Sequence, residues 1–171
     1  MSKAKALKAA AIVQDAGGHI VGRTRLQKIA YILVASGLEE EFAFSYKHYG
    51  PYSEDLAQLT SDASLLGFIK ETEKTASWGG VYSVFDIANF AEGNPSVERE
   101  PLAKLAAAAD AIELELAATA LYLAKEGIGD PWAETERRKP EKSTGGRLER
   151  AKDLYHKLSD LPKPTAWPQI A

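Results

Sequence analysis

Cysteine is absent from the 171 residues and methionine occurs once. The missing thiol excludes a disulfide scaffold, Cys-ligated zinc, an iron–sulfur cluster and thiol catalysis. Apolar runs are only a few residues long, too short for a membrane span. The charged N-terminus has no apolar stretch behind it, so no secretory signal is expected and a cytoplasmic location is. Histidine is scarce: His19, His48 and His156 lie far apart, with no HExxH and no paired spacing, so no metal is expected. P-loop, GxGxxG and GxSxG patterns are missing too, and neither a catalytic residue nor a cofactor is expected.

What is present fits a soluble globular chain. Apolar residues make up 45% and charged residues 26%, ample for a hydrophobic core at this length. The net charge of −3 hides a segregation. Residues 1–36 carry six Lys/Arg against one acid, whereas residues 37–126 carry six against sixteen. The middle of the chain should repel phosphates, and the N-terminal third and residues 137–152 should attract them.

Periodicity predicts an alanine-rich helix over residues 3–16, stopped by Gly17 and Gly18. A capping-box pattern of Thr24 and Gln27 predicts the start of a second helix, with Leu26, Ile29, Ala30 and Leu33 as its buried stripe. Residues 42–49 alternate as a short strand or an extended connector. Ser53 should cap a third helix over residues 53–66. Residues 68–73 and 81–87 flank a glycine turn and read as a hairpin, followed by a loop over 89–95. A long helix is expected from 97 to 126, with Leu105, Ala109, Ile112, Leu116, Thr119 and Leu123 on a near-heptad stripe. That stripe could bury against the domain or against a second copy, so a homodimer stays open. Asp130 and Pro131 open a short helix, and Leu148, Ala151, Tyr155 and Leu158 mark a last one.

The order helix, helix, short strand, helix, hairpin predicts a mainly α fold with a small β-hairpin: a winged-helix-like, helix-turn-helix core. The expected organisation is a core over 1–90, a helical extension over 91–160 packed on it, and a tail over 161–171.

Residues 23–34, RTRLQKIAYILV, together with residues 46–56, YKHYGPYSEDL, resemble the YwgA-like family of uncharacterised bacterial proteins. More distantly they resemble Panacea-domain antitoxins of the SocA type. The likeness continues through residues 116–123 and the lysine-rich stretch 139–158. It implies a helix-turn-helix scaffold and, by analogy with the antitoxins, a protein partner.

Two clusters are candidate contact residues. Arg23, Arg25 and Lys28 gather at the start of the second helix, where phosphates or an acidic partner could be held; a solvated helix face is the competing explanation. Tyr46, His48, Tyr49 and Tyr52 surround the Gly50–Pro51 turn. They either pack that turn or present hydroxyls to a partner. The third helix decides between partner classes. It holds Glu54, Asp55 and Asp62 and no Lys or Arg, whereas a groove-reading helix needs positive charge and base-edge donors. The expectation is therefore a non-enzymatic module that engages a toxin-like or regulatory protein. Transcriptional regulation through DNA and the basic N-terminal third is the second expectation, and an enzyme with an unrecognised site is the third.

Overall fold

The computed structural model describes residues 2–40, 42–88 and 96–170, so the loop expected over 89–95 lies outside the described residues. Ser2 caps α1 (Lys3–Asp15), its hydroxyl accepting from the Lys5 amide at 3.3 Å. Ala6, Ala9, Ala10, Ile12 and Val13 form the buried face of α1. After the glycines, β1 (His19–Val21) leads into α2 (Arg23–Ala35). A tight ribbon follows, β2 (Ser45–Lys47) paired with β3 (Gly50–Tyr52). The Ser53 cap of α3 (Glu54–Leu65) is as expected, with its Oγ accepting from the Leu56 amide at 3.1 Å. β4 (Ile69–Thr75) and β5 (Val81–Ile87) form the expected hairpin.

The fold is mixed: seven helices and two small antiparallel sheets among the described residues. The expected hairpin is joined by β1 in a three-stranded sheet, order β1-β5-β4, in which Ile20 lies opposite Phe85. Three residues between glycines are too few to show an alternation, which is why β1 is invisible in the sequence pattern.

Two further expectations are corrected. The capping box at Thr24 does not form. The N-cap lies two residues earlier, at Gly22, without a side-chain cap, and Gln27 turns into the protein instead. The long helix over 97–126 is two helices, α4 (Glu100–Ala108) and α5 (Ala111–Lys125). Ala109 leaves the helical region, with ψ at 157°, and Asp110 accepts from the amides of Ile112 and Glu113 at 3.0 Å each. A short carboxylate offers the chain its own cap and competes with helix continuation.

α6 (Pro131–Arg138), capped by Asp130, and α7 (Arg147–Asp160) complete the chain. α5 lies at the centre, packed on α2, β3, α6 and α7; Leu116, Thr119 and Leu123 of the near-heptad stripe are buried within one molecule, whereas Leu105, Ala109 and Ile112 are half-buried. The C-terminal tail docks: Trp167 is buried and donates from Nε1 to Ser36 Oγ at 2.8 Å.

Candidate functional site

The two motifs that are separate in sequence form one hydrogen-bonded unit. Gln27 makes a reciprocal pair with Ser53, donating to its carbonyl at 3.0 Å and accepting from its amide at 2.8 Å. Lys28 donates from Nζ to the Pro51 carbonyl at 2.9 Å. A third segment joins them: Lys139 donates to the His48 carbonyl at 3.2 Å and pairs with Glu115 at 2.9 Å. Lys142 bonds both Glu115 oxygens, at 2.8 and 3.0 Å, and lies 4.6 Å from the centre of the Tyr49 ring. Arg138 covers the Tyr46 ring at 4.7 Å. Buried lysines thus hold carbonyls on both sides of the β2–β3 turn. Gly50 lets the ribbon approach α5, because φ is +95° and a Cβ there would lie 2.7 Å from Thr119 Oγ1.

Lys28 is 1% exposed, which corrects its expected place on a contact surface. Its ammonium is enclosed because α5 and β3 cover the side of α2 opposite the predicted stripe. Burial depresses its pKa to about 8, and Glu115 acts in the opposite direction without restoring it. Arg25 is also turned inward. It donates to the carbonyls of Val21 and Ala107 at 3.1 Å each and to that of Ala109, so it closes the C-terminal end of α4. Arg23, Arg25 and Lys28 therefore serve three different places and do not form one basic surface.

Arg23 stands at the rim of a cleft between α2, α3 and the β4–β5 hairpin. It bonds Glu71 Oε2 from Nη2 at 2.7 Å and from Nε at 3.2 Å, and Ser83 donates to the same oxygen at 2.6 Å. Burial pushes the Glu71 carboxyl up, but the bonds from Ser83 and Arg23 outweigh it and hold the group below the usual carboxylate range. Leu26, Ala57 and Phe85 supply the apolar wall, Tyr52 and Ser61 supply hydroxyls, and the cleft encloses about 250 Å³.

Of the expected contact residues, Arg23 and Tyr52 meet in this cleft. His48 and Tyr49 sit together at the exposed β2–β3 turn, ring centres 4.9 Å apart. Tyr46 is half-buried against Tyr122. Glu71, Ser83 and Glu115 carry no expectation as contact residues, and Gln27 carries one only as half of the capping box. The alternation of β4 was the available signal for Glu71: Ile69, Glu71 and Glu73 share a face by their spacing. Glu115 carried none, since it lies beside the apolar stripe of α5 and its partners arrive from 24 and more residues away.

Among the described residues no group of three or more His, Asp or Glu side chains is placed to hold a metal ion. No helix is long and apolar enough to cross a membrane.

No family model matches the chain. It is similar to the uncharacterised protein YwgA of Bacillus subtilis (strain 168), with 35% identity over 57 residues. That stretch is 33% of this chain and 34% of YwgA, so the match spans about a third of the relative's length.

Proposed function

We propose that the chain is a winged-helix-like binding module, without catalytic chemistry of its own, that engages a protein partner as an antitoxin or regulatory module does. The order α1, β1, α2, β2, β3, α3, β4, β5, in which β1, β5 and β4 form a three-stranded antiparallel sheet and the β2–β3 ribbon is inserted between α2 and α3, supports the scaffold. One observation carries the choice of partner. The outer face of α3 exposes Glu54, Asp55, Gln58 and Ser61 and presents no Lys or Arg. A phosphate backbone laid against that face would meet two carboxylates and release no counterions from it.

DNA binding through the N-terminal third is less well supported, because Arg25 and Lys28 are spent on internal carbonyls and Arg23 on Glu71. The test is a pair of measurements on the intact chain. Duplex DNA is expected to show no retardation at low salt, and affinity purification from the native host should retain a protein in stoichiometric amount. Retardation that weakens steeply with salt, with no retained protein, would overturn the reading.

A further inference from the structure

Four charged side chains close on the β2–β3 turn from inside, and among the described residues Glu115 is the one carboxylate of the group. Lys139 and Lys142 both bond it, and Lys28 lies close enough to feel all three charges. β3 offers Lys28 only the Pro51 carbonyl, and Lys47 of β2 is directed outward to Glu54. The hydroxyl of Thr119, one turn further along α5, is buried and makes no hydrogen bond among the described residues, so it supplies no second acceptor. Three ammonium groups therefore face one carboxylate away from water: Lys28 is 1% exposed, and the side chains of Lys139 and Glu115 are 5% exposed. Like charges repel more strongly there than at the surface. Lys142 differs from the other two cations. Lys28 and Lys139 are each tied to a carbonyl of the turn, whereas the Lys142 ammonium rests on the Glu115 carboxylate and the Tyr49 ring. Its side chain is also 34% exposed, so it is the cation that can reach water with the smallest loss. Its departure uncovers the Tyr49 ring and leaves Glu115 to Lys139.

We propose that Lys142 is a pH-sensitive latch on the β2–β3 turn, which swings out to water while Lys28 carries a proton and seats on Glu115 and Tyr49 when Lys28 is neutral. The linkage has one sign. Withdrawing Lys142 takes a repelling charge from Lys28, so the open latch holds the Lys28 proton more tightly and acid favours opening. A neutral amine still donates to the Pro51 carbonyl, so closure keeps that bond. Burial brings the transition toward neutrality, since it lowers the Lys28 pKa to about 8. His48 and Tyr49 are the exposed residues of this turn, and the latch sets how firmly they are presented. It works whichever class of partner the chain engages.

Proton NMR of the intact chain reads the latch directly, because a Lys142 ε-methylene held over the Tyr49 ring is shifted upfield by the ring current. That upfield shift is expected to be largest at pH 9 and to fall by about half or more by pH 6.5. Its midpoint should coincide with that of the Lys28 ε-carbon, followed in the same sample with isotope-labelled lysine. In Lys28→Met, which keeps an apolar stem and removes the charge, the shift should stay at its high-pH value throughout. His48→Gln removes the turn's own titratable ring and should leave the transition in place. A ring-current shift that does not change with pH in the natural chain, or a midpoint that differs from that of Lys28, would overturn the proposal. An unchanged transition in Lys28→Met would do the same. Where that variant folds poorly, the two midpoints in the natural chain still decide.

Discussion

At the scale of single residues, the informative feature is a buried cation with a structural task. Lys28 titrates at about 8 in the folded chain, against an ordinary value of 10.5. Between those values the unfolded chain holds more protons at this position, so the stability it contributes rises with pH across that window. Below about pH 8 both states are protonated and the cost of burying the charge is fully present. Comparing urea unfolding of the natural chain with Lys28→Met isolates this group. From pH 7 to pH 10 the natural chain should gain on the variant by on the order of 1 kcal/mol or more. A pH-independent difference would mean that Lys28 is more hydrated than its 1% exposure implies. The residue also shows why sequence reading misplaced it. A charged residue at a helix start is usually solvated, and nothing local in Arg-Leu-Gln-Lys says that Pro51 and Glu115 will be brought against it.

At the scale of elements, caps decided more than propensity. Residues 97–126 are rich in Ala, Leu and Glu, all good helix formers, and a continuous helix is what propensity predicts. The chain breaks at Ala109 and Asp110 because α4 and α5 pack in different places, α4 against α1 and α2, α5 also against α6 and α7. Asp110 then satisfies the first amides of the new helix. Asp110→Ala should therefore lower stability by about 1 kcal/mol, readable as a shift of the urea midpoint with an unchanged slope. The Arg25 guanidinium, which holds the carbonyls of Ala107 and Ala109 on the other side of the break, keeps the junction in place. Ser53 and Asp130 were legible as caps because their neighbours, Glu54 and Asp55 in one case and Pro131 in the other, are local signals. Thr24 was not, because Gln27 found a stronger pairing with the backbone of Ser53.

At the scale of the whole molecule, the C-terminal tail closes the fold against α2. Trp167 packs on Tyr155 with ring centres 5.0 Å apart and bonds Ser36, which is fully buried. Thr165 adds an amide bond to the Ser36 carbonyl at 3.0 Å. Trp167→Ala should cost about 3 kcal/mol or more, since it opens a cavity and leaves the Ser36 hydroxyl without its partner. Differential scanning calorimetry would show the loss as a lower Tm in a single transition. A separate low-temperature transition would instead mean that the tail and α7 melt independently of the rest.

Local pattern along the chain sets the helices with a strong apolar period, the hairpin around Gly79 and Gly80, and the acidic character of α3. Each is written in residues a few positions apart, and the forces that produce it act over that range. Long-range packing makes α5 central, sends three basic residues close together on α2 to three destinations, and brings Glu71 against Arg23 and Ser83 in a cleft. Those pairings span 12 to 82 positions of chain. A buried charge or amide takes whichever partner packing delivers, because leaving it unpaired away from water costs more than any local preference supplies.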